Sequence, residues 1–220
     1  MCIRDSYSGL YVTTDVAVQR MLNEFGTVSA AKGKNIYFRT WSVGVGNVGD
    51  IHTNPDTYNR VLDDGSLDRL NNLVVSTKHV KGDFDAWLPQ NRTLKVGDQP
   101  RIIEMQARRE FENFNVFPNY MTPEHQVDLQ DFLAENRNID GVWMWTDGGP
   151  WRSGPYLLYP DHGYTDMIDV NMYTGAQLAW DVNADTTTLA ERWVRRTIST
   201  EPETVQTVTQ MLLNLSLIHI

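Results

Sequence analysis

Four short runs rich in apolar and β-branched residues recur along the chain and predict strands. They span residues 35–43, 72–78, 100–106 and 140–146. Their starting points lie roughly 28 to 40 residues apart, a spacing that is typical of βα units and too long for hairpins. The pattern therefore predicts an α/β fold in which the four strands run parallel.

Helical periodicity fills most of the intervals between these runs and dominates the C-terminal part of the chain. The first helix is predicted from about residue 15 to residue 31, with an apolar face formed by Val18, Met21, Leu22 and Phe25. Asn54 and Pro55 have the residue types of an N-cap and of a first helical position. The remaining helices are predicted over residues 55–62, 123–136, 167–180, 187–199 and 201–213.

Four parallel strands are too few to close a barrel, so two architectures stay open from the pattern alone. One is a complete open α/β sheet. The other is the C-terminal half of a (β/α)8 TIM barrel, about strands 5–8, followed by C-terminal helices. The two ends of the chain favour the half-barrel, because residues 1–6 and 215–220 read as translations of one sequencing adaptor in opposite orientations.

The adaptor interpretation predicts that the chain is a fragment whose natural part covers residues 7–214. We expect a partial (β/α)8 barrel domain over residues 7–165 and a helical C-terminal region over residues 166–214. Residues 1–6 and 215–220 are then excluded from the fold. An isolated half-barrel leaves two sheet edges uncovered, so we expect the fragment to be poorly soluble.

Composition and charge narrow the classes of function. The hydrophobic fraction of 41% and the charged fraction of 21% are those of a globular protein. A net charge of −9 argues against nucleic acid and an anionic membrane surface as partners. Apolar runs stay far below the ~18 residues that span a bilayer. The single cysteine, Cys2, lies in an adaptor segment, so the natural part offers no disulfide or thiolate chemistry.

Three acidic residues at or after predicted strands form the first candidate site. Asp83 follows Lys78 by five residues, and Glu104 and Glu110 occur within and beyond the third strand. The carboxyl ends of parallel strands meet at one edge of a sheet, where barrel enzymes place catalytic side chains. Carboxylates paired across a sugar are the reacting groups of most glycoside hydrolases. Ordinary ion pairs with basic neighbours such as Arg109 stay open as the alternative.

Basic and aromatic side chains accompany these acids. Arg39 and Lys78 end two neighbouring strands and suit a carboxylate or phosphate group of a ligand, with salt bridges to the nearby acids as the alternative. Trp143 and Trp145 lie on the last strand and fit a carbohydrate pocket, although strand aromatics often belong to a core. We expect the cations and the acids to converge on one cavity.

Other motifs carry less weight. Gly44, Gly46 and Gly49 match the spacing of a dinucleotide-binding loop, but residues 50–54 separate them from the next helix, whereas such a loop runs straight into its helix. A nicotinamide-dependent oxidoreductase is therefore a remote alternative. The histidines lack metal-ligand spacing, and no Gly-x-Ser-x-Gly elbow occurs. Asn91-Arg-Thr is a formal glycosylation acceptor, which we interpret as coincidental.

Several spaced motifs together resemble the catalytic domain of the xylan α-glucuronidases, glycoside hydrolase family 67. The motifs are Arg39-Thr40, Lys78 with Asp83-Phe84, Glu104-x-Gln106-x-x-x-Glu110-Phe111, the tail from Asn171 to Asp181, and Leu189-Ala-Glu-Arg-Trp193. They occur in the family's order over most of residues 36–213. The resemblance implies a (β/α)8 barrel with a helical C-terminal region.

The resemblance also implies an inverting exo-hydrolase that removes α-1,2-linked glucuronic acid, or its 4-O-methyl ether, from xylo-oligosaccharides without a cofactor. By position, Asp83 and Glu110 resemble the pair that activates the hydrolytic water, and Glu104 resembles a further active-site acid. Arg39 and Lys78 resemble the cations that hold the uronic carboxylate. The family's general acid falls at or before the N-terminal adaptor segment, so we expect this chain alone not to release uronic acid from such oligosaccharides.

The expected partner is an oligosaccharide that carries a uronic acid, and a homodimer of the full-length protein stays open. Three stretches depart from the family pattern: Asp85 to Pro89, Glu112-Asn113, and the loop from Asp147 to His162. Because they surround the expected pocket, they leave the sugar open. A hydrolase of another polysaccharide and a non-catalytic carbohydrate-binding barrel remain as alternatives.

Overall fold

The computed structural model describes residues 14–41, 50–82, 89–109, 119–146 and 165–217. Within these ranges four strands form one parallel sheet in the chain order β1–β2–β3–β4. The strands are β1 (Ile36–Arg39), β2 (Leu73–Lys78), β3 (Arg101–Gln106) and β4 (Ile139–Trp145). The predicted α/β class is confirmed, and the sheet is compatible with part of a (β/α)8 barrel.

Six α-helices lie within the same described ranges. They are α1 (Thr14–Ala30), α2 (Pro55–Leu62), α3 (Thr122–Glu135), α4 (Thr165–Trp180), α5 (Thr186–Thr197) and α6 (Pro202–Leu217). Each predicted helix is present, with ends that differ by up to four residues. None of those described is both long and apolar enough to cross a membrane. The predicted natural end at residue 214 stays a prediction, and α6 continues to Leu217.

The register of β1 and β2 determines which side chains share a face of the sheet. Ile36 lies opposite Leu73, and Arg39 lies opposite Ser76. Ile36 and Leu73 pack in the apolar core together with α1 and α2. Because successive side chains of a strand alternate between faces, Arg39 lies on the face away from this core. Lys78, two residues beyond Ser76, lies on that same face.

The chain forms two compact units, and the first comprises described residues 14–41, 50–81, 90–103 and 132–141. Its buried core is formed by Val18, Leu22, Ile51, Tyr58, Val61, Leu62, Leu67, Leu73 and Val75. Asn54 caps α2 as predicted, since its side chain accepts hydrogen bonds from the backbone N–H groups of Asp56 and Thr57. Together these contacts place α1 and α2 against one face of the β1–β2 pair.

The predicted apolar face of α1 is wrong at Phe25, which is 59% exposed. Val18, Leu22 and Gly26 are the buried positions, four residues apart along the helix. A Cβ atom on Gly26 would lie 2.8 Å from the side chain of Leu70. The helix therefore approaches the segment before β2 through a glycine, and this close approach rotates Phe25 out of the contact.

A buried arginine organises the short 3-10 turn Arg92–Lys95 that precedes β3. Arg101 is fully buried, lies 4.4 Å above the ring of Tyr58, and donates to the carbonyls of Thr93 and Val96. Burial lowers the pKa of Arg101 and raises the pKa of Tyr58 to about 12. Gly97 follows this turn with a φ of +86°, where a side chain is strained.

The second unit comprises described residues 104–109, 119–131, 142–146 and 165–217, with Gly82 and Pro89. Its helical core is formed by Tyr120, Val170, Ala190, Trp193, Val194, Val205 and Leu212. Asp185 caps α5 by accepting a 2.7 Å hydrogen bond from the N–H of Thr188. Gly175 lets α4 approach β4, because a Cβ atom there would lie 2.9 Å from the side chain of Met144.

Gly97→Ala tests the packing around Arg101. The new Cβ would lie 2.5 Å from the Tyr58 ring at a positive φ, so we expect the free energy of unfolding to fall by about 2–4 kcal/mol. Gly33→Ala is the matched control, since Gly33 has a φ of +63° but no atom within 4 Å. The free energy of unfolding of Gly33→Ala is expected to fall by about 1 kcal/mol. Equal losses in urea denaturation of the two variants would contradict the packing argument.

Candidate functional site

Two of the predicted site residues meet on one indole ring in the first unit. The Lys78 Nζ atom lies 3.9 Å from the ring centroid of Trp41, and the Arg39 guanidinium carbon lies 6.0 Å from it. Lys78 is only 3% exposed, and Arg39 is half-buried. Attraction between a cation and an indole reaches about 2 kcal/mol or more when the pair is desolvated. Trp41 therefore holds two positive charges close together at the carboxyl ends of β1 and β2.

The Trp41 ring is itself supported by a buried histidine. The ring centroids of Trp41 and His52 are 4.9 Å apart and the rings are nearly perpendicular, at 74°. The Nδ1 atom of His52 lies 3.2 Å from the Thr40 hydroxyl and 3.4 Å from the Asn91 amide nitrogen. An amide nitrogen only donates, so Nδ1 accepts and the ring proton is assigned to Nε2.

His52 is neutral under ordinary conditions. Its pKa is lowered from 6.5 to about 4, chiefly by burial; Asp50 opposes this shift, and the positive charges of Lys78 and Arg39 add to it. A neutral imidazole adds no charge beside the two cations. The arrangement therefore presents the positive charges of Arg39 and Lys78 on a ring whose supporting histidine does not change its charge near neutral pH.

Asn91 is a structural residue of this cluster. It is fully buried, and its Oδ1 atom accepts hydrogen bonds from the N–H group and the hydroxyl of Thr93, at 3.1 and 2.8 Å. The Thr93 hydroxyl also donates to the carbonyl of His52, at 2.9 Å. These contacts support the interpretation of Asn91-Arg-Thr as a coincidental glycosylation signal, because the folded chain does not expose the acceptor amide.

The turn before α2 bears on the dinucleotide alternative. Asp50 accepts hydrogen bonds from the N–H and the hydroxyl of Thr53, both at 2.7 Å, and Asn54 then caps α2. A separate turn thus stands between the glycine run and the helix, which disfavours phosphate binding at this helix N-terminus. The glycines themselves, within residues 44–49, lie outside the described residues. Within the described ranges, no group of three His, Asp or Glu side chains is arranged to hold a metal.

The remaining described candidates belong to the second unit. Glu104 is fully buried in β3. Trp143 and Trp145 are half-buried, with ring centroids 5.9 Å apart. Met144 between them faces Gly175 of α4, so by alternation both indoles lie on the sheet face away from α4. They are thus not part of the helix-facing core of β4, which favours the ligand-facing interpretation of these rings.

Two of the predicted catalytic residues are not among the residues that the structure describes. Asp83 and Glu110, the predicted water-activating pair, lie outside the described residues. The described residue before Glu110 is Arg109, which is buried and forms a 3.0 Å ion pair with Glu124 of α3. Glu124 is therefore a carboxylate partner of Arg109 that the sequence did not indicate.

The sequence suggested Trp41 only as one of several tryptophans near a carbohydrate pocket, did not connect it with Arg39 and Lys78, and gave no role to His52. The signal for Trp41 was available, because it follows Arg39 by two residues and therefore shares its face if the extended backbone continues. His52 lacked such a signal, since it lies in an irregular turn whose position relative to β1 depends on tertiary packing. The only sequence signal at Asn91 was a glycosylation pattern, which does not indicate a structural role.

Comparison with known proteins bears on the C-terminal helices. Residues 165–218, which contain α4, α5 and α6, match the family model described as glycosyl hydrolase family 67 C-terminus. This segment is similar to the C-terminal region of that family. The match covers about a quarter of the chain and confirms the resemblance over this segment. No curated protein compared with the chain matches it.

The match supports a glycosidase family for the chain. It lies wholly within the second unit and includes the Asn171 to Asp181 and Leu189 to Trp193 motifs of the tail. The cations on Trp41 lie outside the matched segment. The resemblance of Arg39 and Lys78 to family 67 residues therefore rests on the sequence motifs that contain them and on their contacts with Trp41.

His52 makes a testable contribution to stability. Its folded-state pKa is depressed to about 4, so its contribution is present above pH 6.5 and is lost as the pH falls from 6.5 towards 4. Over this pH range the free energy of unfolding is expected to fall by about 3 kcal/mol. Urea unfolding of the unsubstituted chain and of His52→Gln at pH 7 and pH 4 measures it, and the pH dependence should shrink by this amount in the variant. An unchanged difference between the two pH values would contradict a neutral, buried His52.

Proposed function

We propose that the chain is part of a glycoside hydrolase of the α-glucuronidase type, which removes α-linked glucuronic acid or its 4-O-methyl ether from xylan-derived oligosaccharides. The observation that carries the proposal is the placement of Arg39 and Lys78 on the single ring of Trp41. A glucuronic acid differs from a neutral hexose by its carboxylate. Two adjoining cations in a partly buried environment are suited to that group.

The two cations have different parts in holding a carboxylate. The Arg39 guanidinium offers a planar fork that can donate to both carboxylate oxygens, whereas the Lys78 ammonium acts as a compact charge. Because Lys78 is nearly excluded from solvent, its attraction for an anion is screened less than that of a surface lysine. Trp41 restricts the position of the ammonium, so less side-chain freedom is lost when a ligand binds.

The proposed reaction is hydrolysis with inversion. Asp83 and Glu110 accept a proton from a water molecule as its oxygen bonds to the anomeric carbon, and the glycosidic bond breaks as its oxygen takes a proton from the family's general acid, which the resemblance places at or before the N-terminal adaptor segment. An acid and a base in such enzymes lie about 6.5–9.5 Å apart, which leaves room for the water. Glu104 is the further acid of the site, and Trp143 and Trp145 supply aromatic faces for sugar rings. In this proposal the four strands are strands 5–8 of a (β/α)8 barrel.

A non-catalytic carbohydrate-binding protein would use the same cations and indoles without the acids. α-Glucuronosyl fluoride separates the two functions, because fluoride leaves without a general acid and the substrate still carries the uronic carboxylate. A hydrolase releases fluoride and first forms the β-anomer of glucuronic acid, which proton NMR identifies. A binding protein retains affinity for glucuronic acid and releases no fluoride above the spontaneous rate.

Asp83→Ala and Glu110→Ala are each expected to lower the rate of fluoride release by about 10²–10⁴-fold, because the water loses its base. Glu135→Ala is the matched control, since this acid pairs with Lys95 on the surface. A fluoride electrode measures the rate for each variant. Full activity in both acid variants would exclude the assigned pair even if the unsubstituted chain is a hydrolase.

Arg39→Met and Lys78→Met are each expected to weaken glucuronic acid binding by about 10- to 100-fold, through the loss of a charge-assisted contact. Arg60→Met is the control, because it removes an exposed cation that pairs with Asp15 in the same unit. Isothermal titration with glucuronic acid and with glucose measures the effect. If both substitutions leave the preference for glucuronic acid unchanged, the carboxylate site is elsewhere.

A further inference from the structure

One side chain of α4 contacts the backbone at both ends of the segment that carries Glu110. The Nδ2 atom of Asn171 donates to the carbonyl of Ala107 at 3.0 Å and to that of Asn119 at 2.8 Å. Its Oδ1 atom accepts from the N–H of Met121 at 2.9 Å. Asn171 is 1% exposed, so these bonds form away from solvent.

This arrangement constrains the chain on either side of residues 110–118. The carbonyl oxygens of Ala107 and Asn119 lie within 3.0 and 2.8 Å of the same nitrogen atom, so they are at most about 6 Å apart. Ala107 and Asn119, which have eleven residues between them in the chain, therefore lie next to each other. A single carboxamide sets the separation of the two ends.

Only the chemistry of asparagine satisfies all three contacts at this position. Its planar carboxamide has two N–H donors and one carbonyl acceptor, and each is used here. Aspartate keeps the acceptor and loses both donors, and leucine of similar size has none. Asparagine is also a poor residue for a helix interior, because its side chain competes for backbone hydrogen bonds. Its place in the middle of α4 is explained by the backbone groups of the neighbouring segment.

Other contacts of α4 hold this carboxamide in place. Gly175, one turn further along the helix, allows close packing against Met144 of β4. Thr174 and Thr122 are joined through their hydroxyl groups. Tyr120 donates to the carbonyl of Thr186 at the start of α5. The carboxyl-terminal helices and the end of β3 are thus bonded to each other around Asn171, all within the second unit.

We propose that Asn171 is a positioning residue for the hydrolytic reaction. Its bonds to Ala107, Asn119 and Met121 hold the described residues on both sides of the segment that carries Glu110. The inference rests on the proposed role of Glu110 in activating water. In this role the helices matched to the family 67 C-terminus affect the reaction indirectly, because Asn171 acts on the backbone and not on the substrate.

The placement of the segment is measured without substrate, by ¹⁹F NMR of the 220-residue chain labelled with 4-fluorophenylalanine. Phe111, Phe114 and Phe117 report on the segment, and Phe38 and Phe132 serve as internal references. Asn171→Leu is expected to shift or split the three segment signals and to leave the references unchanged. Trp193→Phe is the matched control, since it removes a 2.6 Å bond to Asp169 in the same helices and leaves the three hydrogen-bonding groups of Asn171 unchanged.

Asn171→Asp provides a test within a folded variant. Burial raises the pKa of a carboxyl group, and the protonated group regains one donor, so the segment signals should move towards those of the unsubstituted chain as the pH is lowered from 8 to 5. A general loss of stability would move the reference signals as well. Segment signals that are the same in all variants would overturn the inference.

Kinetics with α-glucuronosyl fluoride complete the test. Asn171→Leu is expected to lower kcat by about 10- to 100-fold, the effect of a displaced catalytic group. KM should stay within about twofold, because Arg39 and Lys78 are unchanged. If the unsubstituted chain releases no fluoride while the ¹⁹F signals respond, the proposed hydrolase function fails and the anchoring by Asn171 stands. Fluoride release that is unaffected in Asn171→Leu overturns the positioning role.

Discussion

The burial of a positive charge at the end of β2 is the constraint on which the candidate site depends. An ammonium group removed from water is costly unless its surroundings compensate for the lost hydration. At Lys78 the face of Trp41 supplies part of this compensation, and the same ring is also within range of Arg39. The parallel register of β1 and β2 brings the three side chains together. A shift of one residue would move Lys78 to the helix-facing side of the sheet.

The histidine that supports Trp41 is polar but uncharged. His52 is kept neutral by burial and by the neighbouring cations, against the opposing effect of Asp50. Thr40 and Asn91 face its Nδ1 atom, and Thr93 donates to its backbone carbonyl. The site thus combines a fixed positive charge with a neutral support, which suits recognition of a constant anion such as a uronic carboxylate.

Periodicity predicted the strands and helices well because each element has a clear apolar side or a recognisable cap, as at Asn54. It failed at Phe25, where close packing of Gly26 against Leu70 outweighed the hydrophobic pattern of α1. Strand ends located Arg39 and Lys78, since neighbouring parallel strands end at one edge. His52 and Asn171 were not recognised, because each acts through contacts with residues 12 to 64 positions away in the chain. Such contacts leave no local pattern.

The burial of Asn91 has a consequence for producing this protein. Oligosaccharyl transfer in the eukaryotic secretory pathway acts on extended chain before folding is complete, and Asn91-Arg-Thr is then accessible. A glycan on that nitrogen would remove the donor that faces His52 and could not fit where the side chain is fully enclosed. Glycosylated molecules would be excluded from the native structure. A bacterial host without this pathway avoids the problem.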